Sequence, residues 1–115
     1  MFFRGVPDRE LRLYTGNSFP HTLRKNPDTH PVFVLRSAST GHLLCPCSSK
    51  GNPRKNRYII EGCALDMTGQ VMDRNSFLIE QYPFTLPLDH RFQRRPHFLG
   101  RVPESCIHDQ RGKCK

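Results

Sequence analysis

Residues 30–63 read HPVFVLRSASTGHLLCPCSSKGNPRKNRYIIEGC. Two apolar runs flank a small polar turn, and a basic loop leads to a third run. Val32, Phe33, Val34 and Leu35 suit a pleated, buried surface, and Pro31 can open the strand they form. Ser37–Gly41 reads as a turn. His42–Cys47 reads as a second strand, with Pro46 expected at its end or on a sheet edge. Residues 48–56 form a solvated loop, and Arg57–Leu65 a third strand with Gly62 marking a bulge. Such a stretch points to an all-β domain.

Working outward, Arg9–Tyr14 alternates, with Leu11 and Leu13 on one side. It reads as a short strand, with a helical turn as the competing reading. Thr15–His30 is rich in turn formers and basic groups and reads as one long loop; loops of that length are often functional. Thr68–Asp73 and Asn75–Tyr82 give two further short strands. The segment PFTLPLDHRFQRRPHF, residues 83–98, gives a short edge strand and then a loop. His97–Val102 is the final strand, and Pro103–His108 suits a short helical turn because Pro and Glu fit a first turn. Residues 1–8 and 109–115 are expected as loose ends of a single domain, 1–115. Many short strands with regular turn signals indicate a small barrel or roll.

The totals agree with this reading. Only 36% of the 115 residues are hydrophobic, and ten prolines with eight glycines disfavour long helices. Eight Phe and three Tyr still supply bulk for one modest core. The formal charge of +8 makes a surface that attracts polyanions, of which nucleic acid is the commonest. No run of 18 apolar residues predicts a membrane span, and the N-terminus lacks a signal peptide's apolar core. The expected location is therefore cytoplasmic, with all five cysteines reduced. Their odd number also argues against a simple disulfide framework.

A zinc site built from Cys45, Cys47, Cys63, Cys106, His108 and Cys114 is the rival chemistry. Structural zinc prefers cysteines two to four residues apart, whereas a single residue separates Cys45 from Cys47. On a strand that spacing turns both thiols to one face, which suits a core of small apolar groups. No metal and no cofactor are expected.

Four segments together resemble a known family. They are THPVFVL (29–35), CPCSSKGN (45–52), TGQVMDRNSFLIEQ (68–81) and FLGRVPES (98–105). Their order is similar to that of the MazF/PemK/Kid toxin endoribonucleases: an Arg-Pro-Val strand after a long first loop, a strand ending in Thr-Ser or Ser-Ser, a glycine-led strand with a polar turn, and a closing Gly-Arg-Val-Pro-Glu. The resemblance runs from about Arg9 to Ile107. It implies an SH3-like β-barrel with a short C-terminal helical turn. It also implies metal-independent cleavage of single-stranded RNA, a homodimer, and neutralisation by an antitoxin protein. The chain departs from the pattern in places. His30 stands where the family has arginine, Ser48 stands where it usually has threonine, and RELRLY stands for its Arg-Gly-Asp/Glu-Ile-Val first strand.

The candidate site residues follow. Histidine can shuttle protons near neutral pH, so His30 is the candidate acid/base, with a surface histidine that closes the loop as the plain alternative. Ser48 and Ser49 would position the scissile phosphate, and Arg74 would stabilise its charge. Ordinary turn chemistry is the plain alternative for the serines, and a surface ion pair for Asp73 and Arg74. Lys50, Arg54, Lys55 and Arg57 lie beside the serines. Arg91, Arg94 and Arg95 are interleaved with aromatic residues, and Arg24 and Lys25 lie in the long first loop. Basic groups among rings suit single-stranded RNA, where cations track phosphates and rings stack on bases. Asp73 and Asn75 complete the expected groove. The other reading is a non-catalytic module on the same barrel that binds nucleic acid or a protein.

Overall fold

The computed structural model describes residues 1–15, 29–87, 92 and 95–111. It is an all-β, barrel-like fold, as expected. The strands are β1 (Phe2–Pro7), β2 (Thr29–Ala38), β3 (Gly41–Ser48), β4 (Tyr58–Ile59), β5 (Ser76–Leu78), β6 (Phe84–Pro87), β7 (His97–Gly100) and β8 (Ile107–His108). One short helix, α1 (Asp8–Tyr14), and a 3₁₀ turn at Glu104–Cys106 complete the described elements. The antiparallel order is β7-β1-β2-β3-β5-β4-β8, with β6 also on β3.

The hairpin β2–β3 is the longest pairing and lies at the centre. Val32 faces Pro46, Phe33 faces Cys45 and Val34 faces Leu44. Successive side chains on a strand point to opposite faces. Phe33, Cys45 and Cys47 accordingly enter one core, with Phe2, Ile59, Leu65, Leu78 and Leu99. Val32 and Leu44 enter the other, with Val6, Leu11 and Phe84. The second core is roofed by rings: Tyr14 stacks on Phe84 and meets Phe92 edge-on, both at 5.5 Å. Such pairs favour offset or edge contacts because the ring edge is positive and its face negative. The two thiols one residue apart thus share a face and a core.

Pro46 is fully buried in the sheet, which a proline tolerates only where a ladder bond is not needed. On the side of β3 away from β2, β6 pairs with Gly41–Leu44, while β5 pairs with Cys47 and Ser48. Pro46 falls in the gap between those two partners. There β3 leaves one half of the sheet and enters the other, which curls the sheet.

Several expectations change. Residues 1–8 are not a loose lead-in: β1 lies inside the sheet, between β7 and β2. Gly5, at φ +89°, carries an irregularity between Phe3 and Val6 that resets the register and lets both Phe2 and Val6 bury. Arg9–Tyr14 is helical rather than extended. Leu11 is fully buried but Leu13 is 72% exposed, so the two leucines do not share a face. Tyr14 lies one turn beyond Leu11, and the pair packs inward at helical spacing. Arg57–Leu65 is shorter than expected: only Tyr58 and Ile59 are strand, and Gly62 sits in a turn at φ +85°. Thr68–Asp73 contributes only a bridge from Val71 to Ala64. β7 is not the last strand, because β8 pairs with β4 after the 3₁₀ turn. In the C-terminal segment Arg111 donates to Asp109 at 2.9 and 3.0 Å. That holds the exposed Asp109 carboxyl down at about 2.

The cysteine expectation also changes. Cys63 and Cys106 form a disulfide, so the thiols are not all reduced. This bond ties the turn after β4 to the 3₁₀ turn, beside a backbone bond from Ile60 N–H to the Cys106 carbonyl. Sequence spacing carried no sign of it, since 43 residues separate the partners. The bond also removes both cysteines from any zinc set, and Cys114 lies outside the described residues. Among the described residues no helix is long and apolar enough to cross a membrane.

Closing a loop of this size restricts the unfolded chain, so a Cys63→Ala/Cys106→Ala variant should lose about 2–4 kcal/mol of stability. Urea unfolding of both proteins checks this. An unchanged midpoint would mean that the bond adds nothing to the fold.

Candidate functional site

Three chain segments meet on one side of the curl. β2 begins there with Thr29, His30 and Pro31. β3 ends there at Ser48, and the chain continues through Ser49 and Lys50. The turn before β5 brings Asp73, Arg74 and Asn75. Pairing of Ser48 with Phe77 holds the second and third segments together. The segments enclose a cleft of about 520 Å³, floored by Phe2, Leu65, Met72 and Leu99. His30, Ser48, Ser49, Lys50, Asp73, Arg74 and Asn75 all line it. The four candidate catalytic residues therefore share one cleft.

Their local bonds define what each can offer. Ser48 is half-buried, and its Oγ accepts the backbone N–H of Lys50 at 3.1 Å. That bond shapes the turn and leaves the hydroxyl proton to donate to a ligand. Ser49 and Lys50 are exposed. The Asn75 Oδ1 accepts the Glu61 N–H at 2.8 Å, which leaves its amide NH₂ facing outward as donor. Arg74 lies 3.5 Å from Asp73, with both side chains more than half exposed. Water screens such a pair strongly, so it does not hold Arg74 away from an anion. Cys47 also borders the cleft, but burial pushes its thiol well up, and bonding with Cys45 adds to the shift. It stays a neutral thiol, not a nucleophile.

The turn is fixed from beneath. A Cβ on residue 51 would run into the ring and Cβ of Phe77, so only glycine lets the backbone lie this close to β5. Asn52 and Asn56 then pin the basic loop. Asn52 Oδ1 accepts the Arg54 N–H at 2.9 Å, and buried Asn56 donates to the Leu78 carbonyl at 3.2 Å and to Gln81 at 3.0 Å.

Not every basic candidate reaches the cleft. Arg54 and Lys55 are exposed on that loop and do not line it. Arg57 forms a two-pronged pair with Glu80, at 2.9 and 2.7 Å, and the bonding raises its pKa. It braces β4 against the segment after β5. Arg95 is exposed and borders an adjoining hollow rather than the main cleft. Arg24, Lys25, Arg91 and Arg94 lie outside the described residues. The cleft wall also includes Arg4, Thr29 and Gln70. Arg4 was hidden in a segment that reads as a lead-in. Gln70 carries no motif that marks it.

Comparison with protein-family models, with curated proteins and with solved structures gives no match to this chain.

Gly51→Ala should cost about 1–3 kcal/mol through overpacking, and thermal unfolding would show it as a lowered Tm. A Tm equal to that of the parent would mean that the Ser48–Gly51 turn is not held against Phe77.

Proposed function

We propose that the protein is an endoribonuclease that cuts single-stranded RNA without a metal ion, in the manner of the toxin family its segments resemble. The observation that carries this reading is that His30, Ser48, Ser49 and Arg74 line one cleft, with Lys50 and Arg4 on its walls. The net charge of +8 supports a polyanionic substrate. A homodimer and a neutralising antitoxin belong to the same proposal.

The chemistry needs three things: a base for the ribose 2′-OH, a place for the phosphate charge, and a proton for the leaving oxygen. His30 takes the 2′-OH proton. The 2′-oxygen attacks phosphorus, and the bond to the 5′-oxygen breaks. Ser48 and Ser49 donate hydrogen bonds to the phosphate oxygens, while Arg74 and Lys50 balance the charge that builds on them. The departing 5′-oxygen takes a proton from water at the open side of the cleft. The products are a 2′,3′-cyclic phosphate and a free 5′-hydroxyl.

A second reading keeps the cleft but not the catalysis. Ser48 already serves the turn through its bond from Lys50, and Arg74 already has Asp73 beside it. On that reading the site only binds nucleic acid, or a protein partner.

Incubation of the purified protein with a long single-stranded RNA in EDTA, with mapping of the cut ends, tests the proposal. Discrete cuts ending in 2′,3′-cyclic phosphate are expected. A His30→Ala/Ser48→Ala variant should slow them by about 100-fold or more, the usual scale for lost acid–base catalysis. A folded protein that shifts RNA in a gel but never cuts it would favour the second reading. Cutting at full rate by the double variant would overturn the roles assigned to both residues.

A further inference from the structure

We infer that the cleft continues past His30 into a second anion-binding chamber, which holds the backbone of RNA flanking the nucleotides in the main cleft. This rests on the reading of the cleft as an RNA site. A hollow of about 510 Å³ adjoins the main cleft and shares with it Arg4, Thr29, His30 and Pro31. Its far wall adds Arg95 and His97. The two spaces thus lie side by side, with Arg4 and the start of β2 bordering both.

The charge of this chamber is one-sided. No Asp or Glu of the described residues lines it. Arg4, Arg95 and His97 are exposed, and none has a side-chain hydrogen bond or ion pair to another described residue. Two guanidinium groups facing one hollow without a countercharge repel each other, and a bound anion relieves that repulsion. The sheet fixes where two of the groups stand. Arg4 pairs with His97 across β1 and β7, directly opposite in the register. Residues directly opposite on antiparallel strands project from the same face of a sheet. The irregularity at Gly5 follows immediately, and Val6 beyond it pairs with His30.

The chamber suits phosphate rather than bases. Its wall is polar and cationic, and the planar guanidinium fork matches phosphate oxygens. The described residues place no aromatic carbocycle in it for stacking. The main cleft would hold the reacting nucleotides, and the second chamber would grip one or two neighbouring phosphates without reading sequence.

Fluorescence anisotropy with labelled single-stranded RNAs of three and eight nucleotides tests this. An Arg95→Ala/His97→Ala variant changes two exposed groups that lie outside the main cleft, and a Tm measurement confirms that it folds. The variant should bind the eight-nucleotide RNA about tenfold more weakly and the three-nucleotide RNA as the parent does. Its log–log salt slope for the longer RNA should fall by about 0.7–1.4, the value for one or two phosphates of a single strand. Equal affinity of parent and variant for the longer RNA, or an equal loss for both lengths, would overturn the second chamber. RNA cutting is scored separately. Length-dependent loss with no cutting keeps the chamber and ends the nuclease proposal. Cutting with no length-dependent loss does the reverse.

Discussion

The change of partner along β3 is the constraint on which the rest depends. Through Leu44 the strand pairs with β6, and from Cys47 it pairs with β5. Buried Pro46 stands between, at a place where a missing N–H leaves no gap in either ladder. The curl that follows gives the sheet an inside. It also carries the end of β3 away from β6 and toward the turn before β5. Ser48, Ser49 and Lys50 thereby come to face Asp73, Arg74 and Asn75, with His30 opposite at the start of β2. A flat β3 would leave these groups spread along a sheet edge.

The closing of the curl is shared among small contacts rather than one large one. The Asp66–Arg101 bridge joins the turn beyond β4 to the end of β7, and Thr68 donates to the Leu99 carbonyl at 2.5 Å. The Cys63–Cys106 bond adds a covalent tie on the same side. Arg57 belongs with this frame, since its two bonds to Glu80 hold it in place. Two groups of cations stand out among the described residues. Arg57 and Arg111 are matched by Glu80 and Asp109. Arg4, Lys50 and Arg95 form no ion pair with a carboxylate among the described residues and lie along the groove. Matched charges stabilise structure modestly, while unmatched ones attract anions.

The parts of this that were legible in the sequence were those with an unbroken local pattern. Val32–Leu35 and His42–Cys47 are short apolar runs on either side of a turn, so both strands and the shared burial of Cys45 and Cys47 could be read directly. The polar segments at the ends of those strands entered the candidate site through the family resemblance, since pattern alone fits ordinary turn chemistry equally well. β1 was not legible: Gly5 breaks its period, so MFFRGVP lacks the alternation that marks a strand. α1 was misread because two leucines two apart fit a strand as well as a helix, and only packing reveals that Leu13 points to water. The disulfide and the Arg57–Glu80 pair join residues 43 and 23 positions apart, and no local rule connects them. With β1 unread, Arg4 and its register partner His97 could not be set beside His30.

The central claim is that single-stranded RNA lies in the groove between the start of β2, the end of β3 and the turn before β5. Backbone amide NMR of the labelled protein, titrated with a short RNA that carries 2′-deoxy sugars to prevent cutting, tests it most directly. The account predicts shift changes concentrated at His30, Ser48–Lys50 and Asp73–Asn75, with Arg54 and Lys55 little moved. Changes centred on the Arg54–Lys55 loop or on the β6 face, with the groove residues unmoved, would contradict it.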